Sequence, residues 1–102
     1  MTTVELIDRM LDGWTEDQWC KGQTVDPCGL RRCALGRAAC CGSLTRERFS
    51  LSRAFYDTNN VSLVFFNDHP ETTFADVVDA LRKTRAYLME NEAWMAPPMG
   101  NY

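Results

Sequence analysis

An amphipathic stripe near the C-terminal end of the 102-residue chain constrains its fold more than any other feature of the sequence. Its large apolar side chains recur at the three- and four-residue spacing of an α-helix: Phe74, Val77, Val78, Leu81 and Leu88. Thr73 precedes the stripe and Asp76 follows three residues later, which is the pattern of a side chain that caps a helix start. We therefore predict a helix that begins after Thr73.

Weaker patterns predict three more helices earlier in the chain. The capping box Thr2-x-x-Glu5 predicts a first helix over residues 3–12. A segment rich in small residues predicts a second helix over residues 30–41, which ends at Gly42. A third, less regular pattern predicts a helix over residues 45–56. Its apolar members are Phe49, Leu51, Ala54 and Phe55.

Two segments leave strand and loop open as alternatives. Residues 19–25 fit a short strand or an ordered loop, and the apolar run over residues 61–66 fits one strand or a buried loop. After that run, residues 67–73 have the composition of a turn that leads into a helix start, and the side-chain oxygens of Asn67 and Asp68 are expected to accept backbone N–H bonds. We expect a mainly α fold, with α+β as the alternative. About four helices would surround one core and leave room for one short β-hairpin.

Length and composition allow one compact domain. The chain is 45% hydrophobic and 25% charged, which is too apolar for a disordered tail and too short for two domains. We expect residues 1–92 to form a single small helical domain. Residues 93–102 would follow it as an apolar tail that contains two prolines.

Charge and hydropathy exclude two classes of partner. The formal net charge is −3 and the arginines are spread along the chain, whereas nucleic-acid binding needs clustered basic side chains. The longest unbroken aliphatic and aromatic run covers residues 63–66, far short of the roughly 20 residues that cross a bilayer. Acidic residues also stand where a signal peptide would be basic. We therefore expect neither nucleic acid nor membrane as a partner, and a cytoplasmic location.

The cysteines are confined to one short segment. They number five: Cys20, Cys28, Cys33, Cys40 and Cys41. The odd count and the missing signal predict free thiols rather than a disulfide framework. A zinc site usually uses two closely spaced cysteine pairs, and this spacing does not provide them. We interpret the cysteines as small buried core thiols and predict no metal and no cofactor.

Three short motifs follow one another along the chain. They are Trp19-Cys20-Lys21-Gly22, Cys33-Ala34-Leu35-Gly36, and Asn67-Asp68 with Thr73 and Val77 behind it. In this order, over about residues 14–88, they resemble a family of small uncharacterised proteins from actinobacteria and their phages. The chain departs from that pattern at Arg37, where a small residue is usual. The resemblance implies no reaction, but it favours an actinobacterial or phage source and a cytoplasmic location, which for a phage protein is the host cytoplasm.

The same motifs contain residue types that could form a cysteine-dependent hydrolase. A cysteine nucleophile needs a base and a group that orients the base, and Cys33, His69 and Asp68 supply these types. The structural interpretation is stronger, because a cysteine among small helix residues is usually part of the core. His69 precedes Pro70 and should therefore be extended and exposed.

The tail favours a binding function. Its large apolar side chains are Trp94, Met95, Met99 and Tyr102. Such residues are enriched in protein interfaces, although they could also cover the core of this domain. We expect a non-enzymatic phage accessory protein that binds and modulates a host protein or associates with itself. The alternative is the hydrolase that uses Cys33 and His69.

Overall fold

The computed structural model describes residues 1–22 and 31–91, and five α-helices make up most of these residues. Its helices are α1 (Thr3–Leu11), α2 (Ala34–Cys40), α3 (Thr45–Asn59), α4 (Leu63–Asp68) and α5 (Phe74–Glu90). A single 3₁₀ turn, Glu16–Gln18, follows α1. The prediction of a mainly α fold is confirmed.

Two of the helices begin at the capping boxes expected from the sequence. In α1 the Thr2 hydroxyl accepts the Glu5 N–H, and the Glu5 carboxylate accepts the Thr2 N–H at 2.7 Å. In α5 the Thr73 hydroxyl accepts the Asp76 N–H at 3.1 Å, and the Asp76 carboxylate accepts the Thr73 N–H at 2.9 Å. These reciprocal bonds satisfy backbone donors that a helix start otherwise leaves free.

The core lies between α1, α3 and α5, each of which contacts the other two, and α2 and α4 pack together at its side. The apolar side chains of all five helices meet in one cluster. Its fully buried large members are Leu6, Ile7, Met10, Leu51, Phe55, Leu63, Val77, Leu81 and Leu88. A polar contact joins α3 to α5 inside this packing, where Asn59 Nδ2 donates to the hydroxyl of the buried Thr84 at 3.1 Å.

Helix α2 is shorter than predicted. The helix expected from residue 30 begins at Ala34, because Arg32 takes part in an isolated parallel β-bridge with Trp19. The Arg32 N–H donates to the carbonyl of Gln18 at 2.8 Å, which holds this part of the chain extended. Gly42 follows the helix with a φ of +81°, so its predicted role at the C-terminal end is confirmed.

The apolar run after α3 forms neither of the predicted alternatives. Residues 63–68 form the helix α4, which begins where the Ser62 hydroxyl accepts the Phe65 N–H at 3.1 Å. The turn predicted over residues 67–73 is confirmed only in its later part. Asn67 and Asp68 belong to α4 instead, and the turn follows them, where the Thr72 N–H donates to the carbonyl of His69.

Helix α3 differs from its prediction in length and in one apolar member. It continues to Asn59 and ends at Asn60, which has a left-handed φ of 61°. Leu51, Ala54 and Phe55 are buried as expected, but Phe49 is exposed. The pattern looked irregular because Phe49 lies on the solvent side of the helix rather than in the core.

Within residues 1–22 and 31–91 the backbone forms no strand, so the expected hairpin is reduced there to the bridge at Trp19. The second part of the segment 19–25 lies outside the described residues. None of the helices in those two ranges combines the length and the apolar character that a bilayer crossing requires.

Candidate functional site

A buried asparagine connects the three sequence motifs. Asn67 lies near the end of α4, and only 1% of its surface is exposed. Its Oδ1 accepts from the indole Nε1 of Trp19 at 2.7 Å and from the N–H of Ala34 at 3.0 Å. Its Nδ2 donates to the carbonyl of Cys20 at 3.1 Å and to Oδ1 of Asp68 at 3.0 Å. Both lone-pair positions and both protons of the amide are therefore used.

Asp68 extends this network to the first motif. Its Oδ1 also accepts the N–H of Gly22 at 2.8 Å. Gly22 has a φ of +75°, a left-handed conformation that glycine adopts without strain. Lys21 donates through Nζ to the carbonyl of His69 at 2.6 Å and lies 5.5 Å from the ring centre of Trp19. The end of α4 thus holds the whole Trp19–Gly22 segment.

The second motif contributes the start of α2. Cys33 is its N-cap, and the Sγ atom accepts the N–H of Gly36 at 3.4 Å. Both residues are buried. This cap leaves the N–H of Ala34 directed at Asn67. We refer to the resulting cluster as the motif site: Trp19, Gly22, Cys33, Ala34, Asn67 and Asp68.

Aromatic contacts join the motif site to α5. The ring of Phe74, the first residue of α5, lies 6.0 Å from the ring of Trp19. Phe74 also makes an edge-on contact with Trp14 at 5.0 Å. The cap at Thr73 places Phe74 there, so the last motif also packs against the first one. Side-chain contacts therefore connect all the motif segments that the sequence separates.

A comparison with protein families decides the relationship of the chain. A model described as a family of unknown function (DUF6197) matches residues 1–87. The chain belongs to this family. Membership of a family of unknown function was predicted from the motifs, and that prediction is confirmed, whereas the actinobacterial or phage source stays a prediction. No curated protein and no solved structure matches the chain.

The family match covers the residues proposed for the alternative hydrolase, and the structure gives them separate partners. The Sγ of Cys33 accepts the Gly36 N–H inside the domain. His69 ends α4 in an extended, exposed conformation, as expected, and its Nδ1 accepts the N–H of Glu71 at 3.1 Å. Asp68 is directed to Gly22 and Asn67. Each of these groups thus stabilises local backbone or a neighbouring segment.

Of the described cysteines, Cys33, Cys40 and Cys41 are free thiols. Cys33 is buried, Cys20 and Cys41 are half-buried, and Cys40 is exposed, so the interpretation as core thiols was wrong for Cys40. Burial raises the pKa of the Cys41 thiol despite the nearby Arg37. Cys28 lies outside the described residues. Among residues 1–22 and 31–91, no three His, Cys, Asp or Glu side chains are grouped so that they could hold a metal ion.

Sequence reasoning missed the role of Arg37. Its Nε donates to the carbonyl of Met10 at 2.8 Å and its Nη2 to the carbonyl of Asp12 at 2.7 Å, while the guanidinium lies 5.7 Å from the ring centre of Trp14. Arg37 therefore stabilises the C-terminal end of α1, where free carbonyls favour a cation. The sequence indicated this role only by the presence of a charged residue, Arg37, inside a segment of small residues.

In the described part of the chain, three helices carry large apolar side chains on their outer faces, and on α5 this is Met89, which is 51% exposed. On α4, Phe65 is 65% exposed and Val64 is 46% exposed. On α3, Phe49 is 68% exposed and Tyr56 is 54% exposed. Side chains of this type are enriched where proteins bind one another. The predicted partner-binding residues of the tail lie outside the described residues: Trp94, Met95, Met99 and Tyr102.

An open depression of about 520 Å³ borders the motif site. Its lining residues are Glu16, Asp17, Trp19, Cys20, Lys21 and Arg31. The charges on this lining have both signs, and the indole N–H of Trp19 is turned to Asn67 rather than into the depression. These features do not define a ligand.

Proposed function

We propose that this chain is a non-enzymatic binding protein that binds and modulates a protein of its bacterial host. Helix α4 would provide the contact surface through Val64 and Phe65. The observation that carries the proposal is the exposure of these two neighbouring apolar side chains on a helix whose far end is fixed by Asn67. The resemblance to actinobacterial and phage proteins favours a bacterial partner.

The motif site supports a positioning role for the residues that the three motifs share. Every hydrogen-bonding position of Asn67 is satisfied within the domain, and Asp68 is bonded to Gly22. A site that performs chemistry leaves polar groups available to a substrate. These groups instead hold α4 against α2 and the Trp19 segment, so that Val64 and Phe65 are presented in a fixed orientation.

Pre-organisation of this kind raises affinity because fewer side chains and backbone segments are ordered on binding. Phe65 also lies 6.3 Å from the ring of His69, so the exposed surface combines two aromatic rings with one aliphatic side chain. We infer that the partner offers an apolar pocket of aromatic size. The tail residues Trp94 and Met95 are proposed to add a second contact.

Partner capture with a matched pair of variants tests the proposal. Wild-type chain, Phe65→Ser and Phe49→Ser would each be immobilised and exposed to lysate of an actinobacterial host. Phe49 is the control because it is the same residue type, is equally exposed and lies on a different helix. We expect a stoichiometric partner that wild type and Phe49→Ser retain and Phe65→Ser loses.

Calorimetry with the purified partner then gives the size of the effect. Loss of a central aromatic contact typically costs about 2 kcal/mol or more, so Phe65→Ser should weaken binding by roughly 30-fold or more. A partner bound equally by all three forms would contradict the role of α4. Absence of any stoichiometric partner, or turnover of a thioester substrate that disappears in Cys33→Ser, would contradict the binding function itself.

A further inference from the structure

The first and last helices run in opposite directions, which brings the start of α1 to the end of α5. Trp14, which follows α1, makes its edge-on contact with Phe74 at the start of α5. Asp8, further back on α1, pairs with Arg85, further along α5, at 2.6 Å. The order of these two contacts shows that the helices are antiparallel. The first turn of α1 therefore lies beside the last turn of α5.

Three exposed apolar side chains lie at this end of the domain. Met89 follows Arg85 by four residues, so it lies on the side of α5 that faces α1. Met1 stands opposite, just before α1. The two oxygens of the Glu47 carboxylate accept from the main-chain nitrogens of Met1 and Leu44, each at 2.6 Å, and hold these two residues side by side. We refer to Met1, Leu44 and Met89 as the apolar strip.

The chain leaves the described domain beside this strip. Asn91 caps the end of α5, only two residues after Met89. Trp94 follows Asn91 by three residues, which is at most about 10 Å of extended chain. Residues 93–102 contain no charged side chain, and their large apolar members are Trp94, Met95, Met99 and Tyr102. An uncharged, apolar segment is therefore tethered within reach of an exposed apolar surface.

We propose that residues 93–102 fold back on the domain and cover the apolar strip, with Trp94 packed against Met89. The tether selects this occupant, because a segment on a short linker has an effective concentration in the millimolar range at its target. The uncharged tail also covers the strip without removing a charge of its own from water. Methionine side chains adapt to irregular contacts and favour the edge of an aromatic ring, which suits a Trp94–Met89 pair.

The docked tail is a property of the free chain and does not depend on the partner site at α4. Helix α5 is about 25 Å long, and the apolar strip is at its end. Phe74 at its start packs against Trp19, which is bonded to Asn67 of α4. The strip and the end of α4 are therefore at opposite ends of α5. A partner that used Trp94 and Met95 as a second contact would have to displace them from the strip.

Fluorine NMR of the full chain labelled with 5-fluorotryptophan tests the proposal. Each tryptophan gives one resonance, and Trp94→Phe identifies the resonance of Trp94. In wild type we expect this resonance to differ from that of a synthetic peptide of residues 92–102. It should also shift less than the peptide resonance between H₂O and D₂O, because the docked ring is shielded from water. The spectrum should be the same at about 20 µM and about 200 µM protein, since the contact lies within one chain.

Variants of the strip measure the contact. Met89→Ser should lower the equilibrium constant for docking roughly ten-fold and move the Trp94 resonance toward that of the peptide. Leu44→Ser should move it in the same direction. Met89→Leu retains an apolar side chain and should leave the resonance in place. Phe65→Ser is the control at an exposed apolar position outside the strip. The resonances of the other two tryptophans verify that each variant remains folded.

Three results would overturn the docked tail. The first is a wild-type Trp94 resonance that coincides with that of the peptide. The second is a resonance that both Met89→Ser and Leu44→Ser leave in place. The third is a resonance that changes with protein concentration, which would indicate the tail of a second copy. None of them bears on the binding role of Phe65, which is measured by partner capture.

Discussion

Asn67 shows how one side chain can determine the arrangement of several segments. It bonds to Trp19 and Cys20, which precede it by 48 and 47 residues, and to Ala34, which precedes it by 33 residues. A buried amide with four partners is stable only in this arrangement, because each lost partner leaves a polar atom without water. Asn67 thereby selects one packing of α2 and α4.

We expect Asn67→Ala to lower the free energy of unfolding by roughly 2–4 kcal/mol. The Trp19 indole, the Ala34 N–H and the Cys20 carbonyl would lose their common partner. Urea unfolding followed by circular dichroism measures the loss. Asn91→Ala is the matched control, since Asn91 is exposed and bonds only one turn back to Tyr87. A loss at position 67 no larger than at position 91 would show that the network contributes little.

Part of this network was predictable from residue type. The oxygens of Asn67 and Asp68 were expected to accept backbone N–H bonds, and they do, from Ala34 and Gly22. They were expected to do so locally, in a turn, and this was wrong. Local patterns describe neighbours in sequence, whereas these donors are 33 and 46 residues away. The free thiols and the exposed His69 were also predictable, because they depend on composition and on Pro70 alone.

At the scale of the element, the helix starts marked by a capping box were the most predictable feature. The capping boxes of α1 and α5 need only two polar residues three positions apart, and both were present in the sequence. Helix α4 was not predictable in the same way, because a short apolar run fits a strand, a loop or a buried helix equally. The Ser62 hydroxyl caps the start of this helix, and Asn67 near its end is bonded to Ala34. These two contacts favour the helix over the strand and the loop.

The capping box of α5 should make stability depend on pH. Hydrogen bonds from Thr73 lower the pKa of Asp76 below its ordinary value of 3.8. A carboxylate with a lowered pKa in the folded state stabilises the fold at pH values above the unfolded-state pKa. This contribution is lost as the pH falls through the folded-state pKa. We therefore expect Asp76→Ala to be less stable than wild type at pH 7 and nearly equal to it near pH 2.

Urea midpoints of wild type and Asp76→Ala, measured between pH 2 and pH 7, provide this comparison. Asp79→Ala is the control, because Asp79 is exposed one turn further along α5. The other carboxylates protonate in both wild type and Asp76→Ala, so the difference in urea midpoint between these two proteins reports on Asp76 alone. A difference that stays constant over the whole pH range would contradict the charged cap.

At the scale of the whole molecule, two kinds of contact hold the helices together. The helices α1, α3 and α5 meet through apolar side chains, whereas α2 and α4 are joined to the Trp19 segment mainly through polar bonds of the motif site. The mainly α class could be predicted from the apolar pattern. The position of α2 and α4 could not, since it depends on bonds between distant residues.

Truncation of a core side chain should affect the entire domain. Leu81 is fully buried on α5 within the common cluster, and Leu81→Ala should lower the free energy of unfolding by roughly 2–5 kcal/mol. Val64→Ala, at an exposed position of α4, should change it by less than about 0.5 kcal/mol. Thermal unfolding followed by circular dichroism measures both. Equal effects at the two positions would mean that the core does not extend through α5.

The motif site also determines which substitutions this fold can tolerate. Asn67 binds Cys20 and Ala34 through their main-chain atoms, so exchange of the Cys20 side chain leaves that bond in place. It binds Trp19 through a side chain, and Gly22 is restricted by its left-handed backbone. Substitution during evolution should therefore be slow at the tryptophan and the glycine, whereas Lys21 between them is restricted only through its Nζ contacts with His69 and the Trp19 ring. The spacing Trp-x-x-Gly follows from that division.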